Sequence, residues 1–368
     1  MYKQNDESKK RGYMNILVGM SGGVDSSVTA LILKEQGHNV IGATMKIYRG
    51  NLPKHTCTKG ACYGPDEEED IEEAKRIAKQ IGIPYFVFDC AEEYERIVLE
   101  NFKSEYLQGK TPNPCIWCNS LIKFGILPQL AKAHGIEFDK FATGHYARVE
   151  SVSSSNNQYL LKAGIDSRKD QSYFLYRLTQ EQLKNIILPL GNYTKSEIRN
   201  IANKFGLKVA EKPDSQDFYG GDYNELLNLE PKQGNIIDKN GKILGSHNGI
   251  WNYTIGQRKG LGISSTEPLY VLELRKESNE VIVGFKNETM SDFLIATNLS
   301  WVSGTSPIGD IKCKAKIRSV STPTPVLVQT NENGNIHVKF EYMQKSIAKG
   351  QSIVLYDGDI VLGGGIII

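Results

Sequence analysis

Two cysteines three positions apart, Cys115 and Cys118, stand in the run Thr111-Pro112-Asn113-Pro114-Cys115-Ile116-Trp117-Cys118-Asn119. This spacing serves thiol–disulfide exchange, persulfide chemistry, or the holding of zinc or an iron–sulfur cluster. The plain alternative is a pair of buried apolar thiols. Two prolines disfavour helix ahead of the cysteines, and an exposed position near a strand end favours chemistry over packing. A thiol attacks only as thiolate, and Lys123 is a nearby cation expected to lower its pKa.

A second stretch, Gly19-Met20-Ser21-Gly22-Gly23-Val24-Asp25-Ser26-Ser27, carries phosphate chemistry. The apolar run Ile16-Leu17-Val18 leads into it as a buried strand, and a helical pattern through Val28, Leu31 and Ile32 leads out. Gly22 and Gly23 allow a sharp turn and close approach of a ligand. The N–H groups of such a loop and of the following helix start point at an anion. Ser21, Ser26 and Ser27 add hydroxyl donors, and Asp25 adds a carboxylate to hold magnesium or to fix the loop. The Gly-Lys-Ser/Thr ending of a Walker A loop is absent.

The elements that must position these residues alternate. A strand is predicted over residues 39–47, and a helix with the acidic first turn 66–70 and apolar stripe Ile71, Ala74, Ala78 and Ile81 follows. That acidic run reads as a helix N-terminus rather than a cation site. A third strand (83–90), an amphipathic helix through Tyr94, Ile97, Val98 and Phe102, and a helix through Leu121, Ile122 and Leu130 return to a strand at 140–143. Strand–helix alternation predicts a parallel sheet with helices on both faces, and ligands of such sheets sit at the carboxyl ends of strands. The Gly-rich loop, Met45, Cys90 and Gly144 all fall there. Residues 146–152 and 159–162 read as a hairpin, 168–178 as a further helix, and Thr194 with Glu197 as a capping box.

From Asp222 onward the texture becomes all-β, with short alternating segments at 234–244, 270–274, 281–285, 311–320, 326–329, 337–340 and 352–356. The expected division is 1–218, 219–286 and 287–368. Among these segments, Lys312, Lys314, Lys316 and Arg318 alternate with Cys313, Ala315 and Ile317. A continuous strand would set four cations on one face, either a solvated surface or a ribbon for RNA phosphates. Cys313 reads as packing.

Composition narrows the classes. A chain of 368 residues holds two or three domains. It contains no run of about 18 apolar residues. Residues 1–15 are polar and basic, unlike a secretory signal. Six cysteines in this length suit a cytoplasmic protein with reactive or metal-binding thiols rather than a disulfide framework. With a net charge of +2, any nucleic acid must be met by local patches.

The order Ser-Gly-Gly-Val-Asp-Ser after a strand resembles the pyrophosphatase (PP) loop of enzymes that split ATP between the α and β phosphates. Further motifs are the 111–119 run, Ala142-Thr143-Gly144-His145-Tyr146-Ala147-Arg148, Lys169-Asp170-Gln171, Lys212-Pro213-Asp214-Ser215-Gln216-Asp217, residues 253–262 and Gly363-Gly364-Gly365. Together they resemble the tRNA-specific 2-thiouridylase family over nearly the whole chain. The resemblance implies an α/β PP-loop domain, of the adenine nucleotide α-hydrolase kind, followed by two β-rich domains. It implies an ATP- and Mg2+-dependent enzyme that exchanges O2 of the wobble uridine of tRNA for sulfur. In that reading Gly19, Met20, Ser21, Gly22, Gly23, Val24, Asp25, Ser26, Met45 and Gly144 bind the nucleotide, and Asp25 serves catalysis there. Asn113, Pro114 and Cys115 face the target base, and Cys118 is the nucleophile. His145, Lys169, Asp170, Gln171, Lys316, Arg318 and Gln351 meet RNA.

The chain departs from that family at one point. Members carry a second cysteine just after Ser-Gln-Asp, and here the segment reads Asp217-Phe218-Tyr219-Gly220-Gly221. Three repairs are open. Cys115 and Cys118 with a third thiol, Cys62 ahead of Cys57 and Cys90, hold a 4Fe–4S cluster; Cys115 and Cys118 act as the pair themselves; or thiolation has been lost. The sulfur donor is then a cysteine-desulfurase relay or inorganic sulfide, and no membrane is involved. Thiolation of another RNA such as rRNA, and a silent RNA-binding paralogue, are the rival functions.

Overall fold

The computed structural model describes residues 12–50, 61–152, 158–211, 218–331 and 333–368. Two compact units result, one formed by residues 1–95, 115–221 and 359–361, the other by 96–114, 222–358 and 362–368.

The first unit is built on β1 (Asn15–Gly19), whose Ile16, Leu17 and Val18 are fully buried. Apolar residues at consecutive positions suit a central parallel strand covered on both faces. Around it come α1 (Val24–Glu35), β2 (Asn39–Lys46), α2 (Glu67–Ile81) and β3 (Tyr85–Asp89). Gly82, in the left-handed region at φ 75°, ends α2. The next helical run is α3 (Ala91–Tyr94), a π-helical stretch (Glu95–Leu99) and α4 (Glu100–Leu107), and the division between units falls inside it.

The cysteine run differs from expectation. Pro114 opens a helix, α5 (Pro114–Trp117), which continues through a π-helical stretch (Cys118–Ile126) into α6 (Leu127–Ala133). Proline is tolerated in a first helical turn, where its missing N–H would have no partner anyway. The prolines therefore set the helix start, and both cysteines sit on helix rather than in a loop or at a strand end.

Strand β4 (Lys140–Ala142) follows, then the antiparallel hairpin of β5 (Ala147–Ser151) and β6 (Tyr159–Ala163), and β7 (Ile186–Ile187). The sheet order among the described residues is β3-β2-β1-β4-β7, all parallel. Strand order reverses between β1 and β4, which opens a crevice at their carboxyl ends. The Gly-rich loop leaves β1 at that point and Gly144 follows β4.

Helices α7 (Gln180–Asn185) and α8 (Lys195–Lys204) both start with complete capping boxes, Thr179 with Gln182 and the expected Thr194 with Glu197. Ile198 and Ala202 of α8 share one core with Val28 and Leu31 of α1 and Ala74 and Ile77 of α2. The helix expected over 168–178 is only a 3-10 turn, Ser172–Leu175. Tyr173, Leu175, Tyr176 and Leu178 are all buried, which leaves no polar stripe for a longer amphipathic helix.

In the second unit, α9 (Tyr223–Leu227) precedes β8 (Gly234–Ile237), β9 (Ile243–His247), β10 (Tyr270–Arg275) and β11 (Glu280–Gly284), a sheet in the order β10-β11-β8-β9. Then come β12 (Met290–Trp301), β13 (Ile311–Lys316), β14 (Thr324–Thr330), β15 (Ile336–Lys345), β16 (Ser352–Asp357) and β17 (Ile360–Ile367). The order β12-β15-β14-β13-β16-β17 closes into a six-stranded barrel because β17 also pairs with β12. The glycine run is what permits closure: a Cβ on Gly363 would lie 2.4 Å from the Ser300 carbonyl, and one on Gly365 would lie 2.8 Å from that of Thr297. No helix among the described residues is long and apolar enough to cross a membrane.

Candidate active site

The Gly-rich loop is held by bonds to itself and to the sheet. Gly22 has φ 68°, and a Cβ there would meet the Asp70 carbonyl at 2.5 Å. Met20 donates its N–H to Ala43 O at 2.8 Å, and its carbonyl accepts from Thr44 Oγ1 at 2.7 Å. Gly19 is packed by the Phe141 ring, and Met45 lies at the end of β2. Gly144 is needed because a Cβ would come within 2.8 Å of both Asp25 C and Ser26 N. The end of β4 thereby reaches the start of α1.

Helix α1 begins at Val24 after Gly23, with no side chain capping it. Its first N–H groups have no intrahelical acceptor, and an anion can supply one. Of the three serines, only Ser21 is exposed. Ser26 and Ser27 donate their hydroxyls to Gly23 O, at 3.2 and 2.7 Å, and Ser26 Oγ accepts the Ser21 N–H at 3.1 Å. The expectation that Ser26 and Ser27 present hydroxyls to a ligand is thus corrected: they brace the loop. ATP fits this cradle, whose donors are backbone amides and whose walls are glycines.

Asp25 is not an open carboxylate. Lys195 Nζ lies 2.8 Å from both of its oxygens, and Tyr146 OH donates to Oδ1 at 2.8 Å. Lys195 is 7% exposed, and its own N–H bonds to the buried Asp166 at 3.1 Å. Of the two uses read for Asp25, fixing the loop is the one the geometry matches. Sequence reasoning missed Lys195 altogether. The Thr194 capping box marks its helix, but nothing in it points to Asp25.

The acidic start of α2 also does more than face solvent. Glu67 accepts the N–H groups of Ile47 and Tyr48, at 2.7 and 3.0 Å, and burial raises its carboxyl pKa. It pins the chain leaving β2.

At the cysteine site, Cys118 is half-buried at the α5 junction. Burial pushes its thiol up to about 11, with Lys123 opposing and the Cys62 thiol adding to the rise. The expectation that Lys123 depresses the pKa holds in sign and fails in net effect, because desolvation of the thiolate is larger. Cys62 is exposed and Cys115 half-buried. Burial raises the Tyr94 hydroxyl pKa first, and Cys118, Cys115 and Cys62 add to the rise. Tyr63 stacks on Tyr94 at 5.4 Å, and its N–H bonds Phe218 O at 2.8 Å. Cys90 is fully buried with its thiol pushed up to about 12. Among the described residues, no three His, Cys, Asp or Glu side chains converge as metal ligands. Cys57 and the 212–217 motif lie outside the described residues. Beside Cys118, the Arg177 guanidinium sits 4.5 Å over the Trp117 ring, and Asn119 Nδ2 donates to Phe174 O at 3.4 Å.

The residues expected to meet RNA separate into groups. In the first unit, His145 bonds Thr143 Oγ1 at 2.7 Å, and burial, with Lys123 adding, lowers its pKa well below the ordinary value, so the ring is neutral. Asp170 Oδ1 accepts from Gly164 N and Ser172 N, and Gln171 Oε1 accepts from Tyr146 N at 2.9 Å. Asp170 and Gln171 thus organise the turn that Lys169, half-buried, belongs to. In the second unit, Gln351 donates to Thr111 O at 2.9 Å, and Thr111 N donates to Lys349 O at 2.8 Å. Asn113 is half-buried there and Pro114 buried.

The four-cation face does not form. Lys312 and Lys314 are exposed, but β13 ends at Lys316, and Ala315, Lys316 and Ile317 are buried in succession. Arg318 donates to the carbonyls of Ile255 and Ser346, both at 3.3 Å. Lys316 is in the strand but buried at its end, and Arg318 lies beyond it. Cys313 packs against the barrel core, as expected.

A parallel α/β unit with an uncapped Gly-rich loop at its switch point, in a chain that ends in a closed β-barrel, defines a PP-loop nucleotide-using enzyme. Residues 14–219 match the family described as the tRNA methyl transferase HUP domain, 226–285 its PRC-barrel domain, and 291–367 the aminomethyltransferase beta-barrel domain. A tRNA-specific 2-thiouridylase MnmA of Endomicrobium trichonymphae is 52% identical over 96% of this chain and 99% of that protein. The protein of that name from Acetivibrio thermocellus is 43% identical over 98% of this chain and 99% of its own length. One from Caldanaerobacter subterraneus subsp. tengcongensis is 45% identical over 96% and 97%. The chain belongs to the tRNA-specific 2-thiouridylase family.

Proposed function

We infer that this chain is an ATP-dependent sulfurtransferase that replaces O2 of a uridine in tRNA, at the wobble position, with sulfur. The observation that carries this is near-full-length identity of 43–52% to proteins of that name, in a chain whose phosphate cradle is intact. Methyl transfer, named in the domain descriptions, has no use for such a cradle.

An amide-like carbonyl oxygen is a poor leaving group. Attack of uridine O2 on the α-phosphorus of ATP releases pyrophosphate; attack of sulfur on C2 then expels AMP, which carries O2 away. Gly19 to Ser26 and the α1 start hold the phosphates, with Met45 and Gly144 beside the nucleotide. Cys118 delivers the sulfur, and Asn113, Pro114 and Cys115 face the base. His145, Lys169, Asp170, Gln171, Lys316, Arg318 and Gln351 support the RNA-facing surface, most of them by shaping backbone. Residues 1–218 do the chemistry, 219–286 link, and 287–368 contribute RNA affinity. Cys115 and Cys62 are the thiols that stand in for the missing family cysteine, either with Cys118 as a relay that takes persulfide sulfur from a desulfurase and forms a disulfide as the sulfur leaves, or as ligands of a 4Fe–4S cluster, for which inorganic sulfide would be the donor. The five described cysteines are free thiols, which suits the reducing cytoplasm.

Mass spectrometry of nucleosides from a deletion strain tests the main reading. Loss of a 2-thiouridine species from tRNA supports it; loss confined to rRNA, or no change, overturns it. Iron and sulfide measured on protein purified without oxygen, wild type against Cys115→Ala and Cys118→Ala, decide the cluster. Iron absent, or unchanged by both substitutions, leaves the thiol relay.

A further inference from the structure

We propose that Lys195 is the counter-charge that lets the Gly-rich loop accept polyphosphate, and that Asp25 is its partner rather than a metal ligand. This rests on the ATP-dependent reading given above and names a positioning residue for it.

Asp25 lies in the first turn of α1, the end that faces a bound phosphate chain. An unpaired carboxylate there would repel each phosphate it meets, against the attraction of the helix N-terminus. Lys195 cancels that charge at the source. Its Nζ is equidistant, 2.8 Å, from both Asp25 oxygens, and the Tyr146 hydroxyl holds Oδ1 from another side.

The lysine is delivered by structure rather than by a flexible reach. Its backbone N–H is tied to Asp166, the Thr194 box sets the start of α8, and α8 packs on α1 through a shared core. A buried lysine that ion-pairs a carboxylate is costly to build, and placing it on Asp25 masks that charge beside the anion cradle. Asp25 in turn has a reason to be there: with Lys195 it ties the α1 and α8 starts together, as Gly144 lets β4 close on the same point.

The test is calorimetric titration of the whole chain with inorganic pyrophosphate and with ATP, each with and without Mg2+. The variants are Lys195→Met, Lys195→Gln, Lys195→Arg, Asp25→Asn and the double Asp25→Asn/Lys195→Met. Removing the cation alone should weaken metal-free pyrophosphate and ATP binding by about tenfold or more. Lys195→Arg, and the double variant in which no charge is left unmatched, should return to within about threefold of wild type. Asp25→Asn alone should leave metal-free binding as tight or tighter. A loss due only to damaged packing would be shared or deepened by the double variant, and melting curves report folding; Lys195→Gln, which can still hydrogen-bond Asp25, carries the test if Lys195→Met does not fold.

Three results would overturn the proposal: wild-type affinity in both neutral variants, a double variant as weak as the single ones, or an Asp25→Asn protein that loses only Mg2+-dependent ATP binding. Thiolation of tRNA by the wild-type protein is scored separately. Its absence would strike the proposed reaction, whereas normal thiolation with unchanged nucleotide affinity in the Lys195 variants would strike only this inference.

Discussion

The nucleotide loop and the cysteine site lie in the same unit and are built on opposite principles. The loop offers backbone donors, braced by Ser26 and Ser27 on Gly23 O, with Asp25 ion-paired to Lys195. Nothing in it has to ionise before a phosphate arrives. Cys118 is instead held as a thiol with a pKa of about 11, because burial outweighs the nearby Lys123. At neutral pH the protonated thiol is therefore the favoured form. The loop is organised as folded, whereas burial disfavours the thiolate of Cys118.

The largest effect that could break this contrast is at Cys118, the proposed nucleophile. Cys118→Ser should lower 2-thiouridine formation by about 10³-fold or more while ATP affinity stays within about twofold, because the two halves share no ligand group. Loss of ATP binding in that variant, read by calorimetry, would mean the halves are coupled.

Next comes ionisation. A raised thiol pKa means the reactive form is scarce below it, so alkylation of Cys118 by iodoacetamide should climb about tenfold per pH unit from 7 and level only near 11. Lys123→Met removes an opposing charge and should move the curve to still higher pH, with slower alkylation at every pH below the plateau. A plateau near neutrality would place the thiol outside its buried setting.

Two smaller changes probe the loop. Gly144→Ala puts a Cβ within 2.8 Å of backbone atoms and should cost about 1–3 kcal/mol of stability together with ATP affinity, seen in the melting temperature and by titration. Ser27→Ala removes a 2.7 Å bond to Gly23 O and should cost about 1 kcal/mol, with cysteine alkylation unaffected.

Much of this was legible in the chain. The strand–loop–helix unit of residues 16–32, the Thr194 cap and the switch to β structure after Asp222 each rest on local rules, hydrophobic period, capping residues and turn glycines, that tertiary contacts did not override. Where reading failed, a local rule met a boundary it could not see. Alternation at 312–318 presumes a strand that continues, and β13 stops at Lys316. Two prolines before the cysteines read as helix breakers, yet Pro114 is the first residue of the helix. Strands β12 and β17 went unseen because each is completed by the other in closing the barrel.

By itself, the sequence determined which chemical groups are present: a glycine loop that can cradle phosphate, and two cysteines three positions apart. Those are properties of residue type and near spacing. Only the tertiary structure decided the state of the charged and titrating groups. Asp25 finds its cation 170 positions away, and Cys118 is protonated because of what surrounds it. Electrostatic energies depend on distance and solvent exposure in space, and neither is written in the order of the chain.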